Sequence, residues 1–313
     1  MKALWIIFGI LIFLAIGFII SHFALIEYFF KMFFGRISLE KLNDNMFDTP
    51  CYDKSKEKII AAKRRIEELE HKEVSVTSDD GLKLVAQFYD FGKDKTAIMM
   101  HGFHSLPLKN FSVIAESLIE NGYNVLLPYE RAHGKSEGEY ISYGFKESDD
   151  VLKWIEYIDE NTSAEKILVY GTSMGGTTVG IASEKIKSDK VKVLVVDCGF
   201  TTIEALLEYI LETKHAPEKL LVPGLKRRAK KRIGMSFTDA DAEKSLKSDK
   251  IPTLFIYGSQ DNVVPKECIE KSFAACAAEK DLIIVEGSGH GVAIADGGDE
   301  ALEKFYNFVN KYM

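Results

Sequence analysis

Residues 168–180, LVYGTSMGGTTVG, restrict the fold of this 313-residue chain more than any other stretch. An apolar run enters a Gly-x-Ser-x-Gly turn, and a run of small residues typical of a tightly packed helix follows. In such a unit Ser173 takes a strained backbone conformation that projects its hydroxyl beyond the sheet, while Gly171 and Gly175 let strand and helix approach closely. The helix N-terminus directs backbone N–H groups toward whatever Ser173 attacks. The pattern is short, so its meaning depends on what the rest of the chain supplies.

Short apolar segments alternate with helical segments over most of the chain, which is typical of a parallel sheet covered by helices on both faces. Alternating residues on either side of a turn at 78–81 predict an antiparallel hairpin in front of this sheet. The predicted hairpin strands are 73–77 and 82–89, and the later strands are 96–100, 124–128, 166–170, 191–196, 253–257 and 281–285. The predicted helices are about 53–70, 110–121, 144–160, 174–187, 265–278 and 299–312.

Residues 199–250 interrupt this alternation and predict a short helical lid of two or three helices without a sheet strand. Within it, residues 226–232 (KRRAKKR) form the densest charge run of the chain. We interpret this run as a solvated helix face, with contact to anionic lipid headgroups as the alternative. Apolar lid positions either line an acyl site or pack as a helical core: Leu206, Leu207, Ile210 and Leu211.

The N-terminus predicts a membrane anchor. Residues 3–20 are apolar without interruption, which is long enough for a helix to cross the hydrocarbon core. The run exceeds the apolar region of most signal peptides and no A-x-A-like site follows, so residues 1–34 are expected to form an uncleaved, single-pass anchor. Basic residues flank it on both sides, so its orientation is not predicted. Residues 35–71 are expected to form a linker and a surface helix, and residues 72–313 the globular domain.

Composition narrows the remaining function classes. The net charge of −7 argues against a general nucleic-acid partner. The four cysteines lack metal-ligand spacing, and we interpret them as free thiols. Cys268 and Cys276 lie eight positions apart on one predicted helix, about 12 Å along its axis, which is too far for a disulfide. Neither the oligomeric state nor the redox compartment follows from the sequence.

A serine nucleophile needs a base, and the base needs an orienting carboxylate. His290 lies in the glycine-rich loop EGSGHG after the last predicted strand and is the expected base. Asp261 lies in the loop after the preceding strand and is the expected acid, which gives the chain order Ser, Asp, His. Asp197, at the end of the strand after the nucleophile helix, is the rival acid, and we expect it to support the loop near Ser173 instead.

Acyl transfer also needs donors for a developing oxyanion. The backbone N–H of Met174, directly after the nucleophile, is one predicted donor. The N–H of Phe103, in the MMHGFH segment after an earlier strand, is the other. His101 in that segment is a second candidate base, but we expect it to be a buried, hydrogen-bonded loop residue.

Taken together these motifs resemble the α/β-hydrolase superfamily over residues 72–313. The matching motifs are HG at 101–102, GTSMG at 171–175, GSQD at 258–261, GH at 290–291 and RAHGKSEG at 131–138. Many members carry an aspartate two residues before the arginine of the last motif, where this chain has Tyr129. Arg131 and His133 are therefore expected to be loop scaffolding. The anchor, hairpin and lid resemble a group of bacterial membrane-anchored hydrolases that are esterase-like or peptidase-like.

The resemblance implies a serine hydrolase with the triad Ser173, Asp261 and His290, oxyanion donors Phe103 and Met174, and no metal or organic cofactor. The expected partners are a small-molecule acyl ester and, through the N-terminal helix, membrane lipid. We expect cleavage of carboxylic ester or thioester bonds through an acyl-enzyme. A compact peptidase of aminopeptidase type is the alternative, and a non-catalytic scaffold with the same fold is a third reading.

Overall fold

The computed structural model describes residues 1–44 and 50–313, and residues 45–49 of the predicted linker lie outside the described residues. Eight strands form one sheet in the order β1-β2-β4-β3-β5-β6-β7-β8. The strands are β1 (Lys72–Thr77), β2 (Lys83–Tyr89), β3 (Lys95–Met100), β4 (Tyr123–Pro128), β5 (Lys166–Thr172), β6 (Val191–Asp197), β7 (Thr253–Gly258) and β8 (Lys280–Val285). The hairpin β1–β2 joins β4 in antiparallel fashion, and all later pairings are parallel. The chain thus has the α/β-hydrolase fold that its sequence predicted.

Helices cover both faces of the sheet. The α-helices of the described residues are α1 (Lys2–Phe34), α2 (Leu39–Asp44), α3 (Lys56–Glu67), α4 (Pro107–Glu120), α5 (Glu147–Asn161), α6 (Met174–Ala182), α7 (Ile203–Thr213), α8 (Glu218–Arg232), α9 (Ala242–Leu246), α10 (Lys266–Ala275) and α11 (Ala293–Val309). Side chains of β5 show how the two cores are divided: Leu168 and Tyr170 pack with α4 and α11, whereas Ile167 and Val169 pack with α5 and α6. Because successive residues of a strand point to opposite faces, a central strand buried on both sides reads as a continuous apolar run.

Helix ends differ most from the sequence-based prediction. Helix α4 begins at Pro107, three residues early, because proline is well suited to the first helical position. Helix α6 ends at Ala182 rather than near 187. Helix α11 begins at Ala293 rather than 299, and Gly298 interrupts its backbone at φ 57° and ψ −137°. The predicted surface helix forms as α3, which packs on α4 and buries Ile59, Ala62 and Ile66.

The segment between β6 and β7 contains three helices, α7, α8 and α9, and an isolated bridge between Thr202 and Asp241 closes its base. Leu207 and Leu211 are completely buried there, which identifies them as core residues of the helical segment. Their cluster also includes Met174 at the start of the nucleophile helix, so the helical segment packs directly over the carboxyl ends of the strands.

Helix α1 has two environments. Residues 4–34 are long and apolar enough to cross a membrane, and their most apolar 18-residue window has no buried residue. The last turns are different: Ile26, Phe30 and Phe34 are buried in the cluster shared with α7 and α8. The helix therefore runs without a break from an exposed apolar stretch into the globular part of the protein.

Candidate active site

The turn at Ser173 has the strained geometry that the sequence predicted. Ser173 lies between β5 and α6 with φ 56° and ψ −117°, which non-glycine residues rarely adopt. A Cβ on Gly171 would lie 2.0 Å from the carbonyl oxygen of Gly175, and one on Gly175 would lie 1.9 Å from that of Met100. Only glycine therefore fits at these two positions. The half-buried Ser173 side chain is presented at the carboxyl end of the sheet.

Two loops bring a histidine and an aspartate to Ser173. His290 Nε2 lies 2.8 Å from Ser173 Oγ, and His290 Nδ1 lies 2.7 Å from Asp261 Oδ2. Because the carboxylate oxygen accepts at Nδ1, the imidazole carries its proton there and leaves Nε2 free to accept from the serine hydroxyl. The three side chains that the sequence singled out are thus joined in one hydrogen-bonded series.

Asp261 is fixed on its other side by its own loop. Its Oδ1 accepts the backbone N–H groups of Val263 at 2.8 Å and Val264 at 3.0 Å, and its side chain is fully buried. The loop follows β7, and the His290 loop follows the neighbouring β8. Parallel neighbouring strands end at the same edge of the sheet, so side chains far apart in sequence meet there.

The segment after β3 runs beside the nucleophile. A Cβ on Gly102 would lie 3.3 Å from the Cβ of Ser173, so this backbone is in contact with the turn. The N–H groups of Phe103 and Met174 donate to no protein acceptor within residues 1–44 and 50–313. Both N–H groups are thus available to a ligand beside Ser173.

Three histidines hold this segment in place through hydrogen bonds, and burial lowers the pKa of each of them. His101 is completely buried; its Nδ1 donates to Gly102 O at 2.8 Å, and its Nε2 accepts the N–H of Glu130 at 3.0 Å. Burial lowers the pKa of His101 to about 4, which keeps it neutral. His133 Nε2 accepts the N–H of His104 at 3.1 Å, and His104 Nε2 donates to Gly35 O at 3.2 Å. His101 is a structural loop residue, as expected, and so is His133.

Asp197 lies beneath the turn, and its contacts are those of a supporting residue. Its backbone oxygen accepts the N–H of Ser173 at 2.8 Å, and its Oδ2 accepts the hydroxyl of Tyr170 at 2.7 Å. Burial raises the pKa of this carboxyl to about 6, although the Tyr170 hydrogen bond and the His290 imidazole act in the opposite direction. Its Oδ1 has no hydrogen-bond partner among the described residues.

Arg131 forms a nearly buried ion-pair network. Its guanidinium binds both oxygens of Asp150 at 2.6 and 2.7 Å and also reaches Asp80 at 2.9 Å. These bonds tie the 131–138 loop to α5 and to the β1–β2 turn. The carboxylate partners of Arg131 come from distant parts of the chain, while position 129 is a tyrosine, and Arg131 is loop scaffolding as expected.

Cys198 is a further possible metal ligand close to this series, and with Asp261 and His290 it forms a group of three potential donors among the described residues. The ligand atoms of Cys198, Asp261 and His290 lie within 4.8 Å of one another. Burial, and then the carboxylates of Asp197 and Asp261, raise the pKa of the Cys198 thiol well above its usual range. A metal bound here would need a thiolate and would have to displace the Asp261–His290 hydrogen bond, so these residues fit a metal poorly.

Comparison with known proteins identifies the family. A model of the prolyl oligopeptidase family matches residues 110–313, well over half of the chain. The chain belongs to the prolyl oligopeptidase family. It therefore belongs to the α/β-hydrolase superfamily, as the sequence motifs indicated.

Individual relatives are more distant. An uncharacterized Bacillus subtilis protein, YqkD, is 27% identical over 200 residues, which cover 63% of this chain and 65% of that protein. Protein bem46 of Schizosaccharomyces pombe is 27% identical over 179 residues, which cover 56% of this chain and 53% of that protein. The matched region thus spans less than two thirds of either relative. A solved Pyrococcus furiosus esterase has a TM-score of 0.66 at 24% identity, covers 79% of this chain and 95% of its own, and shares the fold.

Two residues of the candidate site were missed from the sequence. Asn110, in the first turn of α4, accepts the N–H of Gly102 at 2.9 Å. Pro107 could have indicated this residue, because a proline at the first helical position puts Asn110 in the first turn of the helix. Tyr143 stacks on Phe103 with ring centroids 5.4 Å apart, donates its hydroxyl to Phe33 O at 2.6 Å and packs against Phe34. No pattern in the sequence indicated the role of Tyr143.

Proposed function

We propose that this protein hydrolyses carboxylic ester or thioester bonds through an acyl-enzyme on Ser173. The observation that carries the proposal is the position of His290, within 2.8 Å of Ser173 Oγ and 2.7 Å of Asp261 Oδ2. A serine hydroxyl is a weak nucleophile near neutral pH, and a neutral imidazole at this distance is the base that activates it.

The proposed reaction has two steps of the same kind. Ser173 Oγ attacks the substrate carbonyl while its proton passes to His290 Nε2, and the Phe103 and Met174 N–H groups bind the resulting oxyanion. His290 then gives the proton to the leaving alcohol or thiol as the acyl-enzyme forms. Water then attacks the acyl-enzyme with His290 as the base, and the acid is released as His290 returns the proton to Ser173 Oγ. Asp261 stays ionised throughout, holds the Nδ1 tautomer and stabilises the imidazolium.

The surroundings of Ser173 support a substrate with an apolar acyl group. Phe103 stacks on Tyr143, and Tyr143 contacts Phe200, with ring centroids 5.4 and 6.2 Å apart. Met174, Tyr143 and Phe200 belong to one apolar cluster that continues into α7 and α8. An apolar acyl group beside these residues is removed from water, which favours binding by about 25 cal/mol per Å² of buried apolar surface.

We also propose that α1 is a single-pass anchor and holds the domain at a membrane surface. Support comes from the exposed apolar side chains between Leu4 and Ile20, which no part of the chain that the structure describes covers. In water such a continuous apolar surface is unfavourable, whereas in a bilayer it is matched.

The decisive experiment compares purified full-length wild type with Ser173→Ala on p-nitrophenyl acetate. We expect turnover to fall about 10⁴-fold or more, because the nucleophile is lost while the fold is kept. Ser163→Ala, at an exposed serine, is the matched control. A fluorophosphonate probe should label the wild type and the control but not Ser173→Ala. Equal hydrolysis by Ser173→Ala, or labelling at another serine, contradicts the proposal.

A compact serine peptidase is the second candidate, and the prolyl oligopeptidase family match favours it. Parallel assays on p-nitrophenyl esters and aminoacyl-anilides distinguish the two functions. Both classes of substrate would react at the same serine, so their kcat/KM values can be compared directly. Preference for anilides in kcat/KM would replace ester hydrolysis by peptidase activity. A folded protein that neither turns over these substrates nor reacts with the probe would be a non-catalytic scaffold.

A further inference from the structure

The cationic run of α8 lies against the anchor helix. Glu27 of α1 receives both Arg232 Nη atoms, at 2.9 and 3.0 Å, and Arg228 Nε at 3.1 Å. Arg228 also donates to the backbone oxygen of Phe23 at 3.1 Å, and the Arg232 guanidinium stacks over Phe30 at 5.2 Å. These contacts fix the basic face of α8 to one level of α1.

That level corresponds to lipid headgroups. An α-helix rises 1.5 Å per residue, so residues 4–23 cover the hydrocarbon core of about 30 Å. Glu27 then lies about 6 Å beyond the edge of the core, within the headgroup layer. Arg228 and Arg232, which bind Glu27, lie in the same layer. The basic face is thus at the depth of phosphate groups.

The charge of this face is only partly compensated. Six of the seven residues 226–232 are cationic, and the carboxylates that they contact among the described residues are Glu27 and Glu204. Arg227 and Lys231 are exposed and have no hydrogen-bond or ion-pair partner in the part of the chain that the structure describes. A cleft of about 210 Å³ separates α1 from α8, and its walls are Phe23, Arg227, Arg228, Lys231 and Arg232.

We propose that this cleft binds the headgroup of an anionic phospholipid. The phosphate would lie between Arg227 and Lys231, whose charges are free, and the acyl chains would follow the apolar surface of α1 below Phe23. Guanidinium groups suit phosphate because their N–H groups bind two oxygens at once. The site is separate from Ser173 and does not depend on the proposed reaction, but it rests on the membrane anchor proposed above.

The test uses the full-length protein in detergent with equimolar phosphatidylglycerol and phosphatidylcholine, and native mass spectrometry counts the bound lipids. We expect the wild type to retain phosphatidylglycerol at least about fivefold over phosphatidylcholine, since each basic group near anionic lipid contributes about 1 kcal/mol. Arg227→Gln with Lys231→Gln should remove this preference. Lys250→Gln with Lys271→Gln, two exposed lysines elsewhere, changes the net charge equally and should keep it.

Three outcomes would overturn the proposal. One is a wild type without preference for phosphatidylglycerol. Another is an equal loss in both double variants, which would mean that net charge alone attracts the lipid. The third is full displacement by millimolar inorganic phosphate or by an oligonucleotide, which would identify a general anion site. The Tm of each variant reports on folding, and hydrolysis of p-nitrophenyl acetate, measured in parallel, tests the proposed function independently of lipid binding.

Discussion

Asn110 Oδ1 accepts the backbone N–H of Gly102 at 2.9 Å, so the first turn of α4 holds the loop that runs beside Ser173. The next residue, Phe103, offers one of the two proposed oxyanion donors. A loop held by a side chain is already in position before the oxyanion forms, and such preorganisation favours the transition state over the ground state.

Asn110→Ala should therefore lower kcat about 5-fold and leave KM nearly unchanged, because one hydrogen bond of about 1 kcal/mol holds the donor in place. The measurement is a kcat and KM determination on p-nitrophenyl acetate together with Tm. Asn121→Ala, at the end of the same helix, is the control. A change in KM alone, or an equal effect at Asn121, would show that Asn110 does not position the loop.

The roles of the two aspartates near His290 can be distinguished by replacing each of them with asparagine. Asp261→Asn should reduce kcat about 10³- to 10⁴-fold, because an amide stabilises the wrong tautomer of His290 and does not stabilise its charged form. Asp197→Asn should reduce kcat less than 10-fold, since Asp197 contacts Tyr170 and the backbone of Ser173 instead. If the two effects were reversed, the carboxylate after β6 would be the orienting acid.

The buried carboxyl of Asp197 predicts a pH-dependent stability. Its pKa is about 6 in the folded protein and near 3.8 ordinarily, so the folded state favours the protonated form. The resulting contribution to folding stability is fully present below pH 3.8 and is lost as the pH rises toward 6. Above pH 6 the loss amounts to about 3 kcal/mol of folding free energy.

In denaturant titrations, the difference in unfolding free energy between Asp197→Asn and wild type should shift by about 2 kcal/mol in favour of the variant from pH 4.5 to pH 7.5. The comparison within each pH removes any constant effect of the new amide. Asp299→Asn, at an exposed carboxylate, corrects for net charge. A difference that stays constant with pH would mean that Asp197 titrates normally.

Gly175→Ala should prevent the turn from forming. The added methyl group would lie 1.9 Å from Met100 O, which is a backbone atom and cannot rotate away. We expect a loss of about 3 kcal/mol or more in stability, with loss of activity. Gly17→Ala, where no atom lies within 4 Å of the new methyl group, should match wild type. Equal Tm values for both variants would contradict this account of the turn.

The order of strands and helices was predictable because nearly continuous apolar strands and turn residues recur regularly along the chain. Helix ends were less predictable. The last helix was predicted to begin at about 299, yet α11 starts at Ala293, and Ile294 and Ala301 on either side of the Gly298 interruption pack into the same core. The positions of Ser173, Asp261 and His290 relative to each other followed from strand ends alone.

Contacts across the fold could not be predicted. The last turns of α1 are rich in phenylalanine, as are its exposed turns, so hydropathy does not distinguish an exposed aromatic residue from Phe34, which packs on Tyr143. The partners of Arg131 are Asp150 and Asp80, 19 and 51 positions away. Such pairings depend on how loops meet in space, and local patterns carry no information about that.

The unbroken passage of α1 into the domain limits how the domain can move relative to this helix. Arg36 binds the carbonyls of Gly134 and Ser136 at 2.6 Å, so the helix is clamped just beyond its end. Phe34 lies about 16 Å above Phe23 along the axis. A domain held in this way cannot swing on a tether. With α1 anchored in a bilayer as we propose, its encounters would be set by lateral diffusion in the plane of the bilayer, at one height and one tilt.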